Sequence, residues 1–142
     1  MEHHLEKYMQ EGNLFLKRVA EQLGTPEDHD HAFRVLQAVF YTIRDRITPQ
    51  ESLHLISELP MAIKGLYVHN WKIHDKPKKY ETKAEFLNEV CNSIITDEVD
   101  FGLDAEDEVQ DVFRVLKNYI SEGEMNHVKG QLTPEIAELL DV

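Results

Sequence analysis

Residues 32–66 read AFRVLQAVFYTIRDRITPQESLHLISELPMAIKGL, and they align without a gap with residues 105–139, AEDEVQDVFRVLKNYISEGEMNHVKGQLTPEIAEL, 73 positions further along the chain. Upstream, residues 15–19 align with residues 86–90 at a shift of 71 positions. Self-similarity at a nearly constant offset is typical of repeat proteins. The sequence therefore predicts two diverged copies of one unit, with two extra residues in the loop at 96–103 of the second copy.

Apolar residues recur at spacings of three and four in both copies, a pattern that places them on one face of an α-helix. The predicted stripes are Phe15, Leu16, Val19 and Leu23; Phe33, Leu36, Phe40, Ile43 and Ile47; and, in the second copy, Val109, Val112, Phe113, Leu116 and Ile120. The predicted fold is all-α, a helical bundle made of two homologous multi-helix repeats packed into one unit.

The predicted organisation is a first repeat at residues 1–67, a basic polar linker at 68–81 and a second repeat at 82–142. A unit of about sixty residues buries too little surface to fold well alone. We therefore expect one fused core, with Trp71 and Ile73 holding the linker against the bundle.

Helix ends are marked by capping residues. Gly24 is suited to a left-handed C-terminal cap, and Thr25 followed by Pro26 predicts the start of the next helix. Capping boxes, in which an N-cap hydroxyl and a glutamate three residues later each accept a backbone N–H, are predicted at three places. They are Thr48…Glu51, Thr82…Glu85 and Ser121…Glu124.

The formal charge of −12 argues against nucleic acid and anionic membrane surfaces as partners. No apolar run is long enough to span a bilayer, and the N-terminus has no basic-then-apolar signal pattern. The single Cys91 lies in an apolar helical pattern, so we predict a buried inert thiol rather than a nucleophile. A cytoplasmic location fits these features.

The chain resembles the bacterial family catalogued as domain of unknown function 2267, from about Phe15 to Leu140. The matching features are the two Phe-Leu-x-x-Val starts, the Thr/Ser-x-x-Glu helix starts, and the segment LPMAIKGLY at 59–67 followed by Trp71-Lys72. The resemblance implies an all-helical tandem-repeat fold and no particular activity. Thr133 intervenes before Pro134, so the second copy departs from the pattern at that turn.

Two Glu-x-x-His motifs, Glu51…His54 and Glu124…His127, occupy equivalent positions of the two copies. Di-iron carboxylate bundles use two such motifs plus two further glutamates, so a metal site is one interpretation. The competing interpretation is that both glutamates close capping boxes, because the stripes of the long helices contain no additional carboxylate. We favour the capping interpretation.

Other candidate sites have weaker support. The His-Asp pairs at 29–30 and 74–75 lack the further His and Asp that a metal-dependent phosphohydrolase needs, and His29 and His31 point apart on a helix. The basic cluster, made of Lys72, Lys76, Lys78, Lys79 and Lys83, is expected to balance neighbouring acidic helices. No catalytic residue and no cofactor is predicted.

The sequence leaves the function unknown. The preferred interpretation is a non-enzymatic module that binds a protein partner or itself, using a surface near Tyr67, Trp71 and Tyr80, because aromatic residues often anchor interfaces. The alternative is a metal-binding helical bundle that uses the Glu-x-x-His motifs. The two interpretations differ in their need for further carboxylates that face the core: a metal site requires them, and the stripes of the long helices contain none.

Overall fold

The computed structural model describes residues 2–73, 78–93 and 105–142, and this part of the chain contains helices and no strand. The elements are α1 (Glu2–Gln22), α2 (His29–Arg46), α3 (Pro49–Ser57), α4 (Met61–Val68), α5 (Lys83–Asn92), α6 (Ala105–Leu116), α7 (Glu122–Gly130), α8 (Pro134–Ala137) and the 3-10 turn η1 (Glu138–Leu140). The all-α prediction is confirmed. None of these helices is long and apolar enough to cross a membrane.

The first helix ends as the sequence predicts. Gly24 adopts a φ of +82°, a left-handed conformation that costs glycine nothing, and the Thr25 N–H then reaches back to the Ala20 carbonyl at 3.1 Å. Two of the carbonyls left unpaired at the helix end are satisfied in this way, since the Gly24 N–H also donates to Glu21. The turn redirects the chain into α2.

The start of α2 differs from the prediction at Thr25. The N-cap residue is Asp28, whose Oδ1 accepts the His31 N–H at 2.9 Å, and the helix begins at His29. Thr25 instead accepts the Asp28 N–H in a turn that precedes the helix. Asp and Thr are both good N-cap residues, so local preference alone does not choose between them.

One hydrophobic core unites the described residues of both halves. Its largest fully buried side chains come from α1, α2, α4, α5, α6 and the C-terminal segment. The predicted stripes of α2 and α6 are buried except at Phe33, which is 42% exposed. Phe33 lies within the first turn and a half of α2, next to a surface groove formed with α1 and α4.

Arg44 fixes the end of α4. Its guanidinium donates to the carbonyls of Tyr67 at 2.7 Å, His69 at 2.8 Å and Asn70 at 3.3 Å, while its Cζ lies 3.8 Å from the Tyr41 ring centre. Burial lowers the pKa of Arg44, and the surrounding carbonyls and ring compensate the buried cation. Arg44 therefore holds the backbone of His69 and Asn70, the residues that directly follow α4.

Two lysines of the basic cluster, Lys78 and Lys83, pair with acidic side chains. Lys78 lies 3.5 Å from Asp45 and 3.7 Å from Glu89, and Lys83 lies 2.9 Å from Glu106. These are surface ion pairs, which contribute little individually to stability. His74, Asp75, Lys76 and the predicted loop at 96–103 lie outside the described residues.

The contact between α1 and α4 depends on Gly12. An added Cβ at Gly12 would lie 2.8 Å from the Ala62 Cβ, an atom that moves only with its helix, whereas an added Cβ at Gly65 would meet nothing within 4 Å. We expect Gly12→Ala to be less stable than Gly65→Ala by about 1–3 kcal/mol, because both gain helix propensity and only one overpacks. Urea denaturation of both variants measures the difference, and equal stabilities would refute the close approach.

Candidate metal centre

Helices α3 and α7 pack antiparallel and cap each other. The N–H of Thr48, at the start of α3, donates to Gln131 Oε1 just beyond the end of α7 at 2.8 Å. In return, the N–H of Ser121, at the start of α7, donates to Glu58 Oε1 just beyond the end of α3 at 3.2 Å. Each helix thus supplies, from its C-terminal end, an acceptor for the N-cap amide of the other.

For the capping boxes predicted at Thr48 and Ser121, one hydrogen bond of each box is confirmed and the other is wrong. The N-cap hydroxyls do accept the N–H of Glu51 at 3.2 Å and of Glu124 at 3.1 Å. However, the return bond from each glutamate to its own N-cap amide is absent, because Gln131 and Glu58 already occupy those amides. The carboxylates of Glu51 and Glu124 are therefore available for another role.

Both freed carboxylates are buried between the two helices. The side chains of Glu51 and Glu124 are 11% and 10% exposed, and Oε2 of each is inaccessible to solvent. No N–H or hydroxyl donor of the described residues reaches either of these two oxygens. Glu51 Oε1 accepts from Gln131 Nε2 at 3.3 Å. Glu58 adds a third buried oxygen without a donor, its Oε2. Buried carboxylate oxygens without partners are costly, so this cluster requires an electrostatic compensation.

A proton is one such compensation. Burial raises the pKa of Glu124 to about 8, with further contributions from its hydrogen bond to Glu51 and from the charges of Glu51 and Glu58. Two carboxyl groups in contact cannot both ionise freely, and they share a proton as a pair. In the metal-free protein, the Glu51–Glu124 pair therefore retains one proton near neutral pH.

The two histidines of the motifs flank this pair. His54 Nδ1 lies 3.9 Å from Glu51 Oε2, and His127 Nδ1 lies 3.8 Å from Glu124 Oε1. Both rings are largely exposed, at 59% and 70%, so they can rotate without disturbing the core. Spacing i, i+3 places each histidine on the same helical face as its glutamate.

Three of the four predicted ligands are brought together directly. One ligand atom each from Glu51, His54 and Glu124 lie within 4.8 Å of one another. Ligand atoms around a tetrahedral zinc ion lie roughly 3.3 Å apart, so the three atoms would have to move closer together to share an ion. The exposed His54 ring is free to turn in this way. His127 contacts Glu124 but falls outside this group of three.

The predicted aromatic surface lies mostly inside the protein. Tyr67 is fully buried and its hydroxyl pairs with Ser52 Oγ at 2.7 Å, while Tyr80 is 9% exposed. Trp71 is half-buried and packs edge-on against Tyr67, with ring centres 5.9 Å apart. Tyr67 consequently offers no side-chain surface to a partner. Ile73, expected to hold the linker down, is 62% exposed.

The remaining candidates stay separate from the cluster. His29 and Asp30 are exposed at the start of α2, and His31 pairs with Glu108 at 3.3 Å. Cys91 is half-buried, and burial raises the pKa of its thiol, which disfavours the reactive thiolate.

Sequence reasoning missed Glu58 and Gln131, although a spacing pointed to them. Glu51, His54 and Glu58 follow the i, i+3, i+7 pattern of one helical face. Gln131 stands in the same relation to Glu124. The predicted stripes of the long helices contain no carboxylate, whereas the third carboxylate of the cluster, Glu58, lies just beyond the end of the short helix α3.

Fold and cluster together define an all-helical protein with a buried carboxylate–histidine group between two short helices. The chain matches, over residues 12–139, the family described as "Uncharacterized conserved protein (DUF2267)", and it belongs to this family. The resemblance noted from the sequence is thereby confirmed. The description assigns no activity, and no curated protein matches the chain. The function is therefore unknown, and its interpretation rests on the site.

The protonated pair gives the metal-free protein a distinct pH dependence. The Glu124 carboxyl has an ordinary pKa of 4.5 in the unfolded chain and about 8 in the folded protein, so the folded state binds more protons between these values. The free energy of unfolding should therefore fall as pH rises from 4.5 to about 8. Glu124→Gln should flatten this decline, as measured by urea denaturation in chelator. Parallel pH profiles for the variant and the wild type would contradict the shared proton.

Proposed function

We propose that the protein binds a divalent transition-metal ion between α3 and α7, with Glu51, Glu124 and His54 as ligands. His127 lies beside them and is an alternative ligand. The observation that carries the proposal is that one ligand atom each of Glu51, Glu124 and His54 lies within 4.8 Å of the other two. At the same place, Oε2 of both carboxylates has no N–H or hydroxyl donor among the described residues. A capping role does not account for these oxygens, since other residues occupy the N-cap amides.

The donor set indicates which ions fit. Carboxylate oxygens with imidazole nitrogen suit zinc, iron and manganese, whereas calcium and magnesium prefer oxygen ligands alone. For a mixed N/O site, affinity is expected to rise from Mn²⁺ to Zn²⁺. We therefore propose Zn²⁺ as the tightest of these probes.

A cation compensates the cluster better than a proton does. One proton neutralises one oxygen of the Glu51–Glu124 pair and leaves Glu58 Oε2 without a donor. A divalent ion interacts with both carboxylates at once and also attracts the third carboxylate electrostatically. Gln131 would act as a supporting residue, since its amide donates to Glu51 Oε1 and orients that carboxylate.

Calorimetric titration of Zn²⁺ into chelator-stripped protein tests the proposal. We expect saturable binding with about one ion per chain, weaker binding of Mn²⁺, and a loss of at least tenfold in Zn²⁺ affinity in Glu124→Gln and in His54→Ala/His127→Ala. Circular dichroism of each variant verifies that the fold is retained.

The matched control is His4→Ala/His29→Ala, which removes two exposed histidines away from the cluster. It should bind Zn²⁺ as the wild type does. Equal losses in both double variants would show that zinc binds to scattered surface histidines, and this result would refute the site.

The tandem-repeat organisation is also proposed, with repeats at 1–67 and 82–142 and the linker at 68–81. The crossed caps support it, because Glu58 and Gln131 occupy aligned positions 73 residues apart and make equivalent bonds to Thr48 and Ser121. The cation would then lie near a pseudo-two-fold axis between the copies. A cytoplasmic location remains in keeping with the single thiol.

Self-association is a second candidate function, favoured by an apolar groove of about 230 Å³ between α1, α2 and α4. Met9 of α1 lines this groove and is 64% exposed, and Leu5, one turn earlier on α1, is 73% exposed. An apolar projection next to an apolar groove is the self-complementary arrangement that a two-fold dimer requires. We propose that a second copy of this chain occupies the groove.

Sedimentation velocity over a range of concentrations tests this second candidate. The wild type should dimerise, and Met9→Glu should remain monomeric because a charge at the groove opposes burial. Leu53→Glu is the control, since Leu53 is comparably exposed at 58% on a different helix. A wild type that stays monomeric throughout would exclude the dimer.

A further inference from the structure

A cleft separate from the metal centre lies between α2, the residues that follow α4 and the end of α5. It encloses about 420 Å³, within the range of small-molecule sites. Among the residues that the structure describes, its lining is made of Arg34, Gln37, Tyr41, His69, Asn70, Asn92 and Ser93, and none of these carries a carboxylate. In a chain with a net charge of −12, such a lining is unusual.

Arg34 is the cationic centre of this cleft. Its Nε is shielded from solvent and has no hydrogen-bond acceptor among the described residues. The Nε of Arg44 also lacks an acceptor, but the other nitrogens of that guanidinium donate to main-chain carbonyls. Arg18, Arg46 and Arg114 likewise have at least one acceptor, so Arg34 differs in having none at any guanidinium nitrogen among the described residues. A guanidinium that lines a cleft and has no protein acceptor has N–H donors that can pair with a ligand atom.

The neighbouring side chains are rich in hydrogen-bond donors. Asn70 and Asn92 contribute amides to the lining of the cleft, and His69 adds an imidazole. Asn70 adopts a φ of 53°, and the Arg44 guanidinium holds this conformation through the Asn70 carbonyl. The cleft wall is therefore fixed before any ligand arrives, which lowers the entropic cost of binding.

From this arrangement we infer that the cleft binds a small molecule through an oxyanion, a carboxylate or phosphate group that pairs with the Arg34 guanidinium. Planar guanidinium groups bind both oxyanions through paired N–H donors. The Asn70 and Asn92 amides would supply further donors to the same group or to a neighbouring polar atom. The Tyr41 ring forms the adjoining wall and provides an apolar surface for the rest of the ligand.

Two-dimensional ¹H–¹⁵N NMR with inorganic phosphate and, separately, succinate tests the inference at constant ionic strength. We expect saturable shifts at the amides of Asn70 and Asn92, and a loss of affinity of about tenfold or more in Arg34→Gln. Saturation by phosphate alone would assign a phosphate ligand, and saturation by succinate alone would assign a carboxylate.

Two variants keep the test decisive. Asn92→Asp places a negative charge at an exposed edge of the cleft and should abolish the shifts while leaving the fold intact. Arg114→Gln removes the same charge as Arg34→Gln from a different helix and should leave the shifts unchanged. Shifts that do not saturate with either anion, or that survive both Arg34→Gln and Asn92→Asp, would overturn the inference.

Discussion

The crossed capping of α3 and α7 is the interaction from which the rest of the site follows. Gln131 and Glu58 each reach the N-cap amide of the opposite helix, which fixes the two helices antiparallel and in register. Once those amides are occupied, the Glu51 and Glu124 carboxylates do not bond to their own N-cap amides and are held between the helices. Short helices are marginally stable in isolation. Each of these two helices therefore depends on the other to satisfy the N–H of its N-cap residue.

That constraint has an electrostatic consequence. Ionised carboxylates at such a junction repel each other, and in the absence of a cation the pair retains a proton, as the raised pKa of Glu124 shows. The junction is therefore suboptimal for stability alone. Local features that cost stability often serve binding, and here the flanking histidines supply the ligands that a transition metal would use.

Much of the fold could be predicted from the sequence. The stripes of α2 and α6, the end of α1 at Gly24 and the N-cap hydroxyls follow from local periodicity and capping chemistry, and the structure confirms them apart from Phe33 and Thr25. The site could be predicted only in part. Which acceptor takes the Thr48 amide depends on a side chain 83 residues away, and local sequence rules carry no information about such a contact.

Anomalous diffraction at the zinc edge, from crystals of the chelator-stripped protein soaked with one equivalent of Zn²⁺, tests the account most directly. We expect one dominant anomalous peak between the Glu51 and Glu124 carboxylates, about 2.0–2.2 Å from its ligand atoms, with the His54 ring turned toward it. Electron density that instead shows the two carboxylates in direct contact, with zinc only at surface histidines, would contradict the metal centre and leave a proton as the sole compensation.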